Sequence, residues 1–256
     1  MAERHIKELN QVRNKFIEII SHQLRTPITA VNWNLEAILN GDFGKLEETQ
    51  RQFLQATYLA SLETTRRIGV LLTAIDIEEE RIAYEKGEVV LNSLCTGIID
   101  EAQKKCTAKD ISCVYAPAVG NFPSISGDGQ KIRMVITSLV ENAIAYTKEK
   151  GKVTVSLQLK DNLIRCEVTD TGVGIPQAEQ HLIFSRFFRA SNAVTMQPDA
   201  FGLELFIAKN FVEKHHGQIG FTSQEGKGSM FWFEIPLKNE VTASVPVVPV
   251  VPKAAG

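Results

Sequence analysis

Apolar side chains in the first third of the chain recur at helical spacing. Leu9, Val12, Phe16, Ile19, Gln23, Thr26 and Ala30 step by three and four, a seam that grows more polar toward its end. The turn-rich run Asn40-Gly41-Asp42-Phe43-Gly44 interrupts it. A second seam follows through Leu54, Tyr58, Ser61, Thr65, Ile68, Leu72, Ile75, Glu79 and Ile82. Each helix spans roughly 35 residues, or about 50 Å at 1.5 Å per residue. A lone hairpin of this kind leaves much of its apolar stripe wet, and a second copy closes it into a four-helix bundle. Residues 1–86 therefore read as a homodimerisation module.

From residue 88 the pattern changes. Short β-rich runs (Glu88–Leu91, Ile111–Tyr115, Val153–Leu159, Leu163–Thr169, Gln218–Ser223, Met230–Ile235) alternate with helical stretches near Asn92–Cys106, Gly129–Tyr146 and Leu203–His215. Strands mixed with three helices predict a two-layer α/β sandwich over residues 87–238, so the whole chain is α+β. Gly226-Lys227-Gly228-Ser229 joins the last two strands as a hairpin. Residues 171–200 lack periodicity and are too long for an ordinary connection, which marks a functional lid. The Pro-punctuated stretch from 239 to 256 is expected to be a disordered or extended tail.

Composition narrows the function classes. With 28 basic and 30 acidic side chains the net charge is -2, with no block of like charge, so no nucleic-acid or membrane-surface partner is implied. No run of eighteen apolar residues is present, so no direct membrane contact is expected. The opening MAERHIKELN is charged and helical in character, unlike a signal peptide. The four cysteines show no CxxC pair and read as buried reduced thiols of a cytoplasmic protein.

Two constellations carry chemistry. In Ser21-His22-Gln23-Leu24-Arg25-Thr26-Pro27, His22 falls beside the seam, where an imidazole reaches solvent and a second domain. Pro27 cannot donate to the carbonyl of Gln23, so a bend is expected one turn after the histidine. On spacing alone, a surface histidine before an incidental proline accounts for the same residues. The second constellation pairs Glu141-Asn142-Ala143 in a helix with Asp170-Thr171-Gly172-Val173-Gly174 after a strand. A lone DxGxG usually marks a turn. A carboxylate there accepts from an exocyclic amine, two glycines admit a nucleotide to the backbone, and a helical Asn offers an oxygen to Mg²⁺. Gly202 opens the last helix, whose free N–H groups suit phosphate.

Together these residues resemble a known family. SHQLRTP looks like the phosphoacceptor box of sensor histidine kinases, LVENAIAYT like their N box, and DTGVGIP like their first glycine box. IFSRFFRA resembles the phenylalanine box, and FGLELFIAKNFVEKHHGQI the second glycine box with its helix and strand. The resemblance covers roughly residues 5–238 and implies a Bergerat-type ATP-binding sandwich after the dimeric bundle. It implies that ATP phosphorylates His22 and that the phosphoryl group passes to an Asp of a response regulator receiver domain. It assigns Mg²⁺ to Asn142, adenine to Asp170, and the nucleotide lining to Tyr146, Gly172, Gly174, Gly202 and Leu203. Arg189 reaches phosphate, Phe187 and Phe188 pack the lid, and Gln23 orients the imidazole. Thr26 sits where the family positions water to dephosphorylate the regulator. A sensor segment would normally precede residue 1.

Departures from the family pattern bear on activity. Gln23 stands where a carboxylate is usual, and a Gln cannot act as a base. Ser138 replaces a common Asn, and Ala145 a common Lys. The second glycine box reads Ala200-Phe201-Gly202-Leu203-Glu204-Leu205, keeping one glycine of three. A dimeric docking module with weakened ATP binding is therefore the alternative function. ATP hydrolysis as in gyrase and Hsp90 ranks below both, because Ser138 is a poor base where those relatives keep Glu. His215 and His216 read as a structural helix end before Gly217, and His5 and His181 as surface residues.

Overall fold

In a computed structural model of the chain, residues 2–117, 122–198 and 200–237 are described; along the first helix, side chains are described at Lys15, Ile19, Ile20 and from Gln23 onward. The tail expected over 239–256 lies outside the described residues.

Helix α1 (Ala2–Asn40) passes through Pro27 without a break. The turn at 41–44 reverses the chain into α2 (Glu48–Glu78). A capping box starts α2: the Glu47 N–H donates to Gln50 Oε1 at 3.1 Å, and the Glu47 side chain accepts in return. The helices run antiparallel, fixed by Asn32 Nδ2 donating to Thr65 Oγ1 at 3.2 Å and by Arg51 Nη1 donating to the Leu39 carbonyl at 3.0 Å. This register sets residue 22 about level with Ile75, a geometry that follows from 1.5 Å of rise on each helix.

The sandwich follows the expected order with two additions. Its elements are β1 (Gly87–Val89), α3 (Leu91–Ala108), β2 (Ser112–Tyr115), β3 (Ile125–Gly127), α4 (Gly129–Tyr146), β4 (Lys152–Lys160), β5 (Leu163–Asp170), α5 (Ser191–Met196), α6 (Glu204–Lys214), β6 (Gln218–Gln224) and β7 (Gly228–Pro236). The main sheet has the order β2-β4-β5-β7-β6, parallel only between β2 and β4, and β1 pairs with β3 in a small ribbon. Period-two burial decides which sheet face is covered. Val153, Val155 and Leu157 on β4, Ile164, Cys166 and Val168 on β5, and Phe231, Phe233 and Ile235 on β7 share one core with α3, α4 and α6. Each such side chain contributes roughly 1.5–3 kcal/mol by leaving water.

Helix α2 has a second apolar face that its own seam does not reveal. Ala74 is buried in the sandwich core, with Val70, Leu71 and Ile77 packed beside it, so the sandwich rests on the hairpin. An ion pair between Arg186 and Glu78, and the Arg186 guanidinium 5.6 Å from the Phe206 ring centre, extend this contact.

The four cysteines are free and buried, as expected. Burial first, and then the neighbouring Cys106 thiol, push Cys113 up to about 12. The Cys95 thiol, followed by burial, likewise raises Cys166. Both thiols stay protonated and inert.

His215 holds more than a helix end. Its Nδ1 lies 2.6 Å from the Phe211 carbonyl, and its Nε2 accepts the Asp128 N–H at 2.9 Å. That assignment fixes a neutral ring with the proton on Nδ1. Asp128 in turn caps α4, accepting from Gln130 and Lys131 N–H. We expect His215→Ala to lower unfolding stability by about 2 kcal/mol, because a buried N–H is orphaned and a void is left. The midpoint of urea unfolding measures this, and an unchanged midpoint refutes it.

Candidate functional site

One cavity opens where α4, the end of β5, the segment 173–200 and the start of α6 meet. Helical spacing brings Ser138, Asn142 and Tyr146 to one face of α4, and all three line it. The Asn142 side chain makes no hydrogen bond to protein among the described residues. Its amide is therefore available to a ligand.

Asp170 closes the inner end. It is 7% exposed, and its Oδ1 accepts the Gly172 N–H at 2.7 Å and the Ser229 N–H at 3.2 Å. Burial raises its pKa most, and those two donors oppose the rise. The bonds orient the carboxylate and leave Oδ2 for a donor in the cavity.

Glycine is required at two walls. Gly174 has φ +63° and Gly202 has φ +68°, and an added Cβ would strike the Gln224 and Phe188 carbonyl oxygens respectively.

The segment predicted as a lid contains a 3₁₀ turn at Gln177–Leu182 and the short helix α5. Phe188 lines the cavity, whereas Phe187 is 57% exposed and holds φ +59°. Arg189 clamps this segment: Nη1 donates to the Pro198 carbonyl at 2.9 Å, and Nη2 to the Ala193 and Gln197 carbonyls. Asn192 Nδ2 ties α5 to the Gly174 carbonyl at 3.0 Å.

Three buried polar atoms on cavity-lining residues lack a protein partner: Ser138 Oγ, Arg189 Nε and Asn192 Oδ1. Orphaned groups cost stability unless something satisfies them, so the cavity suits a polar ligand. Two cations line it among the described residues, Arg66 and Arg189, against Glu141, Asp170 and Glu204. Glu204 Oε2 accepts the Leu203 N–H at 3.0 Å, at the start of α6.

Of the residues singled out in the sequence, Asn142, Tyr146, Asp170, Gly174, Arg189 and Gly202 line this cavity. Gly172 and Leu203 stand behind its wall: Gly172 serves Asp170, and the Leu203 side chain is fully buried. Gln23 and Thr26 are exposed on α1, away from the cavity. The side chain of His22 lies outside the described residues. Sequence reading missed Arg66 and Asn192. Neither belongs to a motif, and Arg66 comes from another element altogether.

Comparison with known proteins agrees with this layout. The family "His Kinase A (phospho-acceptor) domain" matches residues 12–79, and "Histidine kinase-, DNA gyrase B-, and HSP90-like ATPase" matches residues 127–239. The circadian input-output histidine kinase CikA of Synechococcus elongatus is 30% identical over 241 residues, covering 94% of this chain and 32% of that protein. The sensor histidine kinase WalK of Bacillus subtilis is 30% identical over 240 residues, covering 91% of this chain and 38% of that protein. The chain thus spans about a third of the length of these two relatives. Among solved structures, full-length ShkA in complex with AMPPNP shares the fold at a TM-score of 0.69 and 24% identity, over 87% of this chain and 45% of that one. The nucleotide-free catalytic domain of histidine kinase ThkA aligns at a TM-score of 0.53 and 28% identity, over 60% of this chain and 96% of that one. A phospho-acceptor hairpin leads into an ATPase sandwich, and the two family matches with these relatives support a sensor histidine kinase with phospho-acceptor and ATP-binding catalytic domains.

Proposed function

We propose that this chain catalyses ATP-dependent phosphorylation of His22 and passes the phosphoryl group to an Asp of a response regulator receiver domain. The observation that carries the nucleotide half is the cavity: an oriented buried carboxylate at its inner end, a free amide on α4, and unpartnered polar atoms between them. Asp170 Oδ2 accepts the exocyclic amine of adenine, and guanine presents a carbonyl at the equivalent edge. Tyr146, Gly174 and Gly202 line the nucleotide, and Gly172 and Leu203 support them from behind. Asn142 would hold Mg²⁺ through its amide oxygen; the ion supplies charge neutralisation on the phosphates.

In the transfer, a ring nitrogen of His22 bonds the γ-phosphorus as the bond to the β–γ bridging oxygen breaks, and ADP leaves with that oxygen. The imidazole proton goes to solvent, because Gln23 orients the ring without accepting a proton. Thr26, one turn beyond His22, serves the reverse traffic by placing water at the phosphorylated regulator. Contacts of the sandwich with α2 at Arg66 and Glu78 lie on either side of Ile75, the level of residue 22. Arg66 precedes Ile75 by nine positions, or about 13 Å of helix.

The hairpin also supports a homodimer. Leu24, Val31, Trp33, Phe53 and Leu59 are exposed large apolar residues on α1 and α2, a surface suited to a second copy. The domain division that follows is 1–86 for dimerisation and phosphoacceptance and 87–238 for ATP binding.

Isothermal titration tests this function, with light scattering on the same sample. We expect saturable heat from ATP with Mg²⁺, little from GTP, and twice the 28.4 kDa chain mass. Equal heats for ATP and GTP would remove Asp170 from adenine recognition, and a monomer at micromolar concentration would sink the dimer.

A further inference from the structure

Among the described residues, Arg66 is the one cavity-lining residue contributed by the phosphoacceptor hairpin, and the nucleotide reading above does not use it. Its guanidinium is held in a fixed plane. Nε donates to Glu63 Oε2 at 2.8 Å and Nη2 to Glu63 Oε1 at 2.9 Å, a bidentate fork. The Arg66 hydrogen bond holds the Glu63 carboxyl down to about 2 against the cost of its partial burial, with Arg67 assisting.

The remaining edge of Arg66 is weakly committed. Nη1 lies 3.5 Å from Glu141 Oε2, too long for a strong charge-assisted bond. Glu141 does not depend on it, because Lys105 Nζ lies 2.5 Å from Glu141 Oε1. Glu204 at the start of α6 also acts on the Arg66 charge. One cation therefore faces two replaceable carboxylates at the cavity mouth. Arg189 is less free to turn, since both its terminal nitrogens are committed to the carbonyls of 193–198. A triphosphate entering beside Asn142 meets three carboxylates and needs a cation with donors to spare. Only five-donor guanidinium chemistry on a fixed fork offers that here.

We propose that Arg66 reads the terminal phosphate of the bound nucleotide for the hairpin, exchanging Glu141 and Glu204 for a phosphate oxygen while Glu63 keeps the guanidinium in place. Arg66 is thus a positioning residue that distinguishes ATP from ADP and docks the loaded sandwich on α2. This rests on the nucleotide reading of the cavity.

The test is calorimetric titration of the full chain with ATP and with ADP at matched Mg²⁺ and ionic strength. Arg66→Ala is expected to lose about tenfold in ATP affinity, or ~1.4 kcal/mol, with ADP affinity within about twofold. Glu141→Gln is expected to tighten ATP severalfold and leave ADP unchanged, because it releases Nη1 without removing the cation. Arg66→Lys should recover part of the ATP loss. Equal losses for ATP and ADP in Arg66→Ala, or no loss, overturn the proposal alone. If the unsubstituted chain binds neither nucleotide, even with Phe201→Thr and Glu204→Gly introduced, the nucleotide reading itself fails and the proposal falls with it.

Discussion

Replacing His22 with alanine is expected to remove all acid-labile label that the chain takes from γ-labelled ATP. A phosphoryl group on an imidazole nitrogen is a phosphoramidate, which hydrolyses in acid, whereas a phosphoserine survives. Of the other histidines, His215 has both ring nitrogens engaged in the core. Because His22 sits on α1 and the cavity is built by other elements, ATP affinity should not change in His22→Ala. Affinity retained with label lost isolates the acceptor from the binding site. Acid-stable label, or acid-labile label that persists in His22→Ala, would move the acceptor elsewhere. A slow unsubstituted reaction is expected, since Gln23 cannot give general-base help that is typically worth about 10²–10⁴-fold. The assay therefore needs hours and a chain at high concentration, with His22→Ala carried in parallel.

Much of the fold was legible because local and tertiary signals agreed. Helix α4 was read as Gly129–Tyr146, the span it occupies, because Asp128 caps it and its apolar positions keep helical spacing throughout. The long strands β4 and β5 were likewise read to within a residue or two, from strict alternation. Strand β3 was missed: at three residues it is too short to show a period, and it exists because β1 pairs with it. Helix α5 was missed for the same reason of length, and tertiary bonds from Arg189 and Asn192 hold it. Trp33 on α1 is 70% exposed in the single chain, an outcome that its apolar character does not predict.

The candidate site divides along the same line. Residues within one motif, such as Asp170 with Gly172 and Gly174, were visible because the chemistry needs them close in sequence. Arg66 was invisible, since only docking of α2 on the sandwich carries it to the cavity. The unpartnered state of Ser138 Oγ and Arg189 Nε is likewise a tertiary fact. Sequence reading opens the last helix at Gly202. Helix α6 instead begins at Glu204 itself, so its carboxylate turns back one residue to the Leu203 N–H.

That placement leads to the second large effect. Phe201→Thr combined with Glu204→Gly should tighten ATP binding by tenfold or more. A helix start offers free N–H groups and a positive dipole end, which suit a phosphate. Here Glu204 already takes the Leu203 N–H, filling within the protein the role a phosphate would fill. The carboxylate lines the cavity beside Ala200 and Gly202. At about 5 Å from one phosphate charge, with an effective dielectric near 20, repulsion is roughly 3 kcal/mol. That corresponds to about a hundredfold in affinity, part of which Arg66 screens in the unsubstituted chain. Phe201 is 41% exposed next to it and adds bulk at the same approach. Removing both groups frees the N–H and leaves Gly202, which sets the turn, untouched. Phe201→Thr alone separates bulk from charge: if charge dominates, most of the gain appears only when Glu204 is also replaced. The gain should shrink as salt rises, because the repulsion is electrostatic and partly exposed to solvent. Identical ATP affinities for the unsubstituted and doubly substituted chains, at matched Mg²⁺ and ionic strength, would show that Glu204 does not compete with phosphate.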